Sequence, residues 1–278
     1  MALYRMDTLL QNARKQKIAI GAFQCWDCLN IQAIARASAK TATPVIFQAT
    51  SMEYGALDGA QIIADMVKFY IKKYDIDAAL HLDHGQSIDE VHECLEAGFS
   101  SVMLDASIHP FAENTRLSAE AAAMAHHYNA SCEAELGHVG GGDGGDGSET
   151  VFTIPEEAAE FIRLTSVDCL AVAVGTVHGD YRGTPHLQLD RLQKIVDATT
   201  IPLVLHGGSG TPKELLQQAI AIGINKINIC TDINKTFVKA IKETTLTQSL
   251  AGYFYRPTVD ATAAKVEYLI RLFKREDI

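Results

Sequence analysis

The sequence predicts an α/β chain folded as an eight-stranded parallel (β/α)8 TIM barrel with an extra C-terminal helix. Three observations carry that expectation. Eight short apolar runs recur at intervals of about 25 to 35 residues. Amphipathic helical patterns lie between them, and polar residues gather just past the end of nearly every run. Such alternation in 278 residues fits one closed barrel, which typically takes about 250 residues, better than an open doubly wound sheet.

Taken in order, the runs 18–23, 45–49 and 78–82 read as strands that end at Gln24, at Thr50 with Ser51, and at Asp83 with His84. Run 101–104 ends at Asp105, and run 131–136 carries Glu135. Runs 169–174, 202–205 and 226–229 lead to His178, to His206, and to Asn228 with Thr231. The segments 29–39, 59–73, 88–97, 113–127, 155–164, 189–198, 212–221 and 234–242 return their apolar residues with helical period. Residues 256–274 remain as the additional helix. No composition shift marks a boundary, so residues 1–278 read as a single barrel domain.

Composition narrows the function. With 47% apolar and 21% charged residues the chain reads as a soluble enzyme, and its formal charge of -10 without a Lys/Arg cluster argues against nucleic acid or an anionic membrane as partner. No apolar run approaches the roughly 18 residues of a membrane span, and the N-terminus lacks a signal pattern, so a cytoplasmic location is expected. The six cysteines are scattered and read as reduced thiols; Cys25 and Cys28 match C-x-x-C but lack a thioredoxin context. The glycine-rich stretch 140–147 follows the fifth strand and reads as a mobile loop over the barrel mouth, the alternative being a plain surface excursion.

Barrel enzymes carry their chemistry at the C-terminal ends of the strands, where His84, His178 and His206 all fall beside glycines. A catalytic zinc site uses three protein ligands and leaves a position open, which these imidazoles satisfy; His81 reads as a supporting partner. Asp83 adjoins His84 and is placed either for acid/base work or to orient an imidazole. Asp105 and Glu135 read equally as carboxylates for a second or displaced metal position and as caps of the following segment. The loops His206-Gly207-Gly208-Ser209-Gly210 and Asn228-Ile229-Cys230-Thr231 end strands seven and eight, the usual phosphate position of the barrel, and Gly179 adds a further amide.

With these residues in view the chain resembles the class II, metal-dependent fructose/tagatose-bisphosphate aldolase family over nearly its whole length. The motifs are L-D-H-G ending at Gly85, A-E-L-G ending at Gly137, G-T-V-H-G ending at Gly179, H-G-G-S-G and N-I-C-T. The resemblance implies zinc on His84, His178 and His206, with Asp105 and Glu135 as alternative metal carboxylates. It implies Asp83 as the acid/base, and dihydroxyacetone phosphate on Gly179, Gly207, Gly208, Ser209, Asn228 and Thr231, with a sodium or potassium ion nearby. The implied reaction is reversible aldol cleavage of a ketose 1,6-bisphosphate or related ketose 1-phosphate in carbohydrate metabolism, and a homodimer or homotetramer is expected. Three departures stand out. The loop carboxylate is Asp143 where the family usually has glutamate. Gln24-Cys25 replaces the usual F-N. Residues 258–264 lack the arginine used for a distal phosphate, which leaves Arg256 as the nearest distal candidate; Gln24 and Ser51 are further expected substrate contacts. The competing readings are a ketose 1-phosphate aldolase with another distal group, a metal-dependent sugar-phosphate isomerase or epimerase, and a sugar-phosphate-binding regulatory subunit.

Overall fold

A computed structural model describes residues 2–141, 148–181, 183, 185–246 and 252–276. A short strand β1 (Ala2–Leu3) and helix α1 (Met6–Gln16) precede the barrel. Its strands are β2 (Ile20–Gln24), β3 (Val45–Ala49), β4 (Asp77–Gly85), β5 (Ser101–Leu104), β6 (Ser131–Leu136), β7 (Cys169–Val172), β8 (Leu203–Leu205) and β9 (Ile224–Ile229). They pair in parallel in the order β4-β3-β2-β9-β8-β7-β6-β5, and pairing of β4 with β5 closes the ring. The chain is therefore a TIM barrel, as the alternation of runs and helices predicts, and β1 hangs on β4 beneath the ring.

The helices are α2 (Cys28–Thr41), α3 (Ser51–Gly55), α4 (Ala60–Tyr74), α5 (Ile88–Glu96), α6 (Phe111–His127), α7 (Pro155–Thr165), α8 (Leu189–Ala198), α9 (Lys213–Ile222), α10 (Thr231–Thr245) and α11 (Gly252–Phe273). Side-chain oxygens start several of them: Asp27 accepts from the Asn30 amide, Ser87 from the Glu90 amide, and Thr50 with Glu53 forms a capping box. The added helix α11 lies against α2 and α10, with Val266 and Phe273 fully buried.

Two apolar cores result. The larger lies between the strands and the surrounding helices and holds Phe23, Phe47, Val67, Leu80, Phe161 and Leu205. The smaller fills the lower barrel interior, where Ile20, Ala22, Ile46, Ala79, Ala171 and Val204 meet Met6, Leu9, Leu10 and Ala13 of α1. Helix α1 thus plugs the N-terminal end of the barrel, an element the strand-by-strand reading did not anticipate. Its four buried residues recur at i, i+3, i+4 and i+7. Met6 and Leu10 are wholly buried, each contributing about 1.5–3 kcal/mol of apolar transfer.

Candidate active site

The site begins with an irregularity in β4. Successive residues of a strand point to opposite faces, so Asp83 and His84 would ordinarily diverge. The register of β4 against β5 shifts between Leu82 and Gly85, and His84 takes a left-handed backbone with φ 50°. This bulge swings the imidazole toward the mouth while Asp83 stays in the barrel. Gly85 is required there because a Cβ would lie 2.6 Å from the Met103 carbonyl oxygen. A left-handed histidine is costly for an L-residue, and such strain is characteristic of functional positions.

His84, His178 and His206 converge above this bulge. Their ring centroids are 4.9, 4.6 and 5.8 Å apart, and one nitrogen from each lies within 4.8 Å of the others. His84 Nε2, His178 Nε2 and His206 Nδ1 are buried without a hydrogen-bond partner. The opposite nitrogens of two rings are occupied: His84 Nδ1 lies 2.6 Å from Asp105 Oδ2, and His206 Nε2 lies 2.9 Å from Glu133 Oε1. Carboxylates behind the rings would fix each tautomer with its proton on the far side, leaving a lone pair toward the common centre. Glu135 Oε2 approaches His206 Nδ1 to 2.8 Å, yet neither atom has hydrogen-bond alignment. Both face the same point, as metal donors do.

Charge supports the same conclusion. Asp83, Glu133 and Glu135 are buried carboxylates, and Lys226 is a buried ammonium whose Nζ lies 2.8 Å from Glu133 Oε2. These carboxylates are gathered around Lys226 and the imidazoles of His84 and His206, and buried charge is stable only when paired or bound to metal. Burial pushes His178 down to about 4, reinforced by the other two histidines, so it is neutral and able to coordinate. For His206, burial opposes the charged form but the bond to Glu133 and the close approach of Glu135 prevail and raise it to about 10. A divalent cation beside Nδ1 would displace that proton, since metal binding and protonation compete for one lone pair. The donor set fits zinc-type chemistry in both ligand number and support.

Asp83 is clamped from both sides. Its Oδ1 accepts from Asn228 Nδ2 and its Oδ2 from Gln48 Nε2, each at 3.0 Å, and the Gln48 amide also donates to Gln24 Oε1 at 3.0 Å. Burial pushes the Asp83 carboxyl up, but His84 and Lys226 more than offset this and hold it below its ordinary range. The carboxylate is therefore an ionised base held by amides. His81 lies beneath it rather than against His84, with Nδ1 2.9 Å from Ser101 Oγ and Nε2 3.8 Å from both Asp83 Oδ1 and Glu133 Oε2.

A cavity of about 310 Å³ opens over these groups. Gln24, Asp83, His84, His178, Gly179, Gly207, Ser209, Asn228 and Thr231 all line it, so the structure brings together most residues marked in the sequence. Gly207 has φ 64°, and a Cβ there would meet the Val177 carbonyl oxygen at 2.2 Å, so the loop after β8 can pass close to that after β7 only as glycine. The neighbouring Gly208 amide is bonded to the Asn228 carbonyl at 3.1 Å, and Ser209 Oγ accepts from the Asp232 amide at 3.2 Å, tying the loop to the start of α10.

Some expectations shift. Thr50, the N-cap of α3, reaches the cavity wall with Met52 and Glu53, and Ser51 between them does not. Arg256 projects from α11 with 91% of its side chain exposed, 3.7 Å from Asp260, and does not reach the cavity. Asp143 lies outside the described residues. The sequence reading passed over Gln48, Met52, Glu53, Cys230 and Asn234 on the wall, and Glu133 and Lys226 beneath it. Two-residue periodicity was the available signal: Gln48 follows Ile46, Glu133 precedes Glu135, and Lys226 precedes Asn228 on the inward face.

Fold and site together define a barrel enzyme with a metal-competent mouth. Comparison with known proteins makes the assignment specific. The family model described as class II fructose-bisphosphate aldolase matches residues 4–277. The chain is 41% identical over 246 residues to a fructose-bisphosphate aldolase of Geobacillus stearothermophilus, covering 87% of this chain and 86% of that one. The crystal structure of the YdjI aldolase from Escherichia coli K12 superposes with a TM-score of 0.87 at 31% identity, over 98% of this chain and 97% of that one. A solved structure from Coccidioides immitis superposes with a TM-score of 0.90 at 30% identity, over 97% and 96% of the two chains. The chain belongs to the class II fructose-bisphosphate aldolase family and is a lyase of the aldolase type. Among the described residues no helix is long and apolar enough to cross a membrane.

Proposed function

We propose that the chain reversibly cleaves the C3–C4 bond of a ketose 1,6-bisphosphate, or a related ketose 1-phosphate, releasing dihydroxyacetone phosphate and an aldehyde, with Zn2+ on His84, His178 and His206. The observation that carries the reading is the set of three buried, unpartnered imidazole nitrogens beside the clamped Asp83 carboxylate. The ion would supply a Lewis acid for the ketose carbonyl, so that no Schiff-base lysine is needed. Asp83 takes the C4 hydroxyl proton during cleavage and returns it during synthesis, its geometry kept by Gln48 and Asn228. Gly179, Gly207, Ser209, Asn228 and Thr231 bind the C1 phosphate through amides and hydroxyls, with a sodium or potassium ion as a further partner, while Gly208, expected in this set, spends its amide on the Asn228 carbonyl and holds the loop in place. Asp105 supports the His84 ring, Glu135 faces the common centre beside His206 Nδ1, the two carboxylates offer an alternative metal position, and Asp143 serves as the loop carboxylate at C3. The enzyme acts in the cytoplasm as a homodimer or homotetramer.

The distal end of the substrate favours a second reading. Among the described residues lining the cavity there is no lysine or arginine, while Glu53 contributes a carboxylate to the wall. A ketose 1-phosphate with an uncharged distal group therefore fits this chain's own surface better than a second phosphate does. The test is a coupled assay for dihydroxyacetone phosphate with both substrate types, before and after chelation. Activity should vanish on chelation and return with zinc, and the bisphosphate should be preferred modestly or not at all. Full turnover in a preparation shown by elemental analysis to be metal-free would refute the metal reading. A bisphosphate preference above about 10³, worth about 4 kcal/mol of transition-state binding, would refute the uncharged distal group.

A further inference from the structure

The segment after β6 touches the site at more points than its position requires. The Val139 amide donates to Glu135 Oε1 at 2.8 Å, and the His178 amide donates to the Gly140 carbonyl at 2.9 Å. The side chain of His138 adds a third connection. Its Nε2 lies 2.9 Å from Ser148 Oγ and its Nδ1 lies 2.8 Å from Ser107 Oγ. The Ser107 amide donates to Asp105 Oδ1 at 3.0 Å, and Asp105 Oδ2 lies 2.6 Å from His84 Nδ1. A path of polar contacts thus runs from Ser148 through His138 to the Ser107 hydroxyl, and from the Ser107 backbone amide through Asp105 to His84.

We infer that His138 is a positioning residue for the metal ligand His84, acting through Ser107 and Asp105. The hairpin itself does not need this side chain. Two backbone bonds between His138 and Val151, at 2.7 and 2.8 Å, and one from the Gly141 amide to the Ser148 carbonyl at 3.1 Å already close it. The imidazole instead turns inward, only 12% exposed, and fixes the rotation of the Ser107 hydroxyl. By anchoring the Ser107 side chain the imidazole holds the backbone of 105–107, so that the Ser107 amide keeps Asp105 Oδ1 while Oδ2 stays against the His84 ring. Carboxylates behind a ligating imidazole set its orientation and basicity, and their loss typically weakens metal binding about 10- to 100-fold. One link further out, the expected effect is at the lower end of that range.

The inference rests on the metal reading above, and atom-matched substitutions separate the two. Asparagine places a polar atom where His138 Nδ1 stands, and glutamine places one where Nε2 stands. In titrations with Zn2+ and Co2+, His138→Ala should lose about tenfold in affinity and shift the Co2+ absorption spectrum. His138→Asn should restore both, whereas His138→Gln should not. Ser107→Ala removes the hydroxyl that His138 anchors while keeping the amide bond to Asp105 and the hairpin, should weaken binding in the same direction, and serves if His138→Ala fails to fold. Unaltered affinity and spectrum in His138→Ala or Ser107→Ala, or restoration by glutamine instead of asparagine, overturns the assignment while the metal site stands. A native chain that binds neither ion overturns the metal reading, and this inference with it.

Discussion

At its lower end the barrel interior carries Ile20, Ala22, Ile46, Ala79, Ala171 and Val204, all packed on α1. At its upper end the interior carries Gln24, Gln48, Asp83, Glu133, Glu135 and Lys226 from β2, β3, β4, β6 and β9, which pack on one another through hydrogen bonds and ion pairs. The lower half can be tightly filled because its side chains are almost all apolar, with the Met6 amide taken up by Ser131 Oγ. The upper half cannot exist alone: each buried polar atom costs about 1–3 kcal/mol unless satisfied, so every residue depends on several others. Stability and chemistry are thereby divided along the barrel axis, and substitutions at the two ends should fail in different ways.

The strongest test of that division is at the top. His178→Ala removes one of the three converging nitrogens and should cut kcat/KM by about 10³ or more, several kcal/mol of lost Lewis acidity, while the melting temperature measured without metal changes little. Asp83→Ala should lower kcat by about 10² to 10⁴ with metal binding retained, measured by cleavage kinetics beside metal analysis. At the bottom, Leu10→Ala should reverse the pattern. It leaves a cavity against the lower core and should cost about 2–5 kcal/mol in denaturant unfolding, with kcat at low temperature unchanged. An Asp83→Ala protein as unstable as Leu10→Ala, or a Leu10→Ala enzyme with depressed kcat, would dissolve the distinction. The smallest effect belongs outside both ends: Arg256→Ala, on an exposed side chain, should change kcat/KM for the bisphosphate less than about threefold, in line with the weak worth of exposed charges.

The same axis explains what the sequence made legible. Upper-end histidines stand out because glycines flank them and a polar residue after an apolar run is conspicuous, so His84, His178 and His206 could be grouped without coordinates. Glu133 and Lys226 lie inside runs that read as apolar, and only knowledge of which face points inward reveals them. Helix α1 had a regular apolar stripe, but what it covers is set by barrel closure, which no local pattern encodes. The error of one residue between Ser51 and Thr50 reflects the exact turn at which β3 gives way to α3. Arg256 was the nearest cation in the chain, and proximity in sequence did not become proximity to the cavity.

The displaced register in β4 reaches beyond this enzyme. An idealised barrel with strict alternation offers one inward side chain for every two residues of each strand, so it cannot present a base and its neighbouring ligand from adjacent positions. A designer grafting this pair onto a regular scaffold would have to import the irregular step at Leu82–Gly85, including the left-handed residue at 84 and the absent Cβ at 85. Copying the side chains without that step would yield a barrel that folds well and places one of the two groups on the wrong side of its own wall.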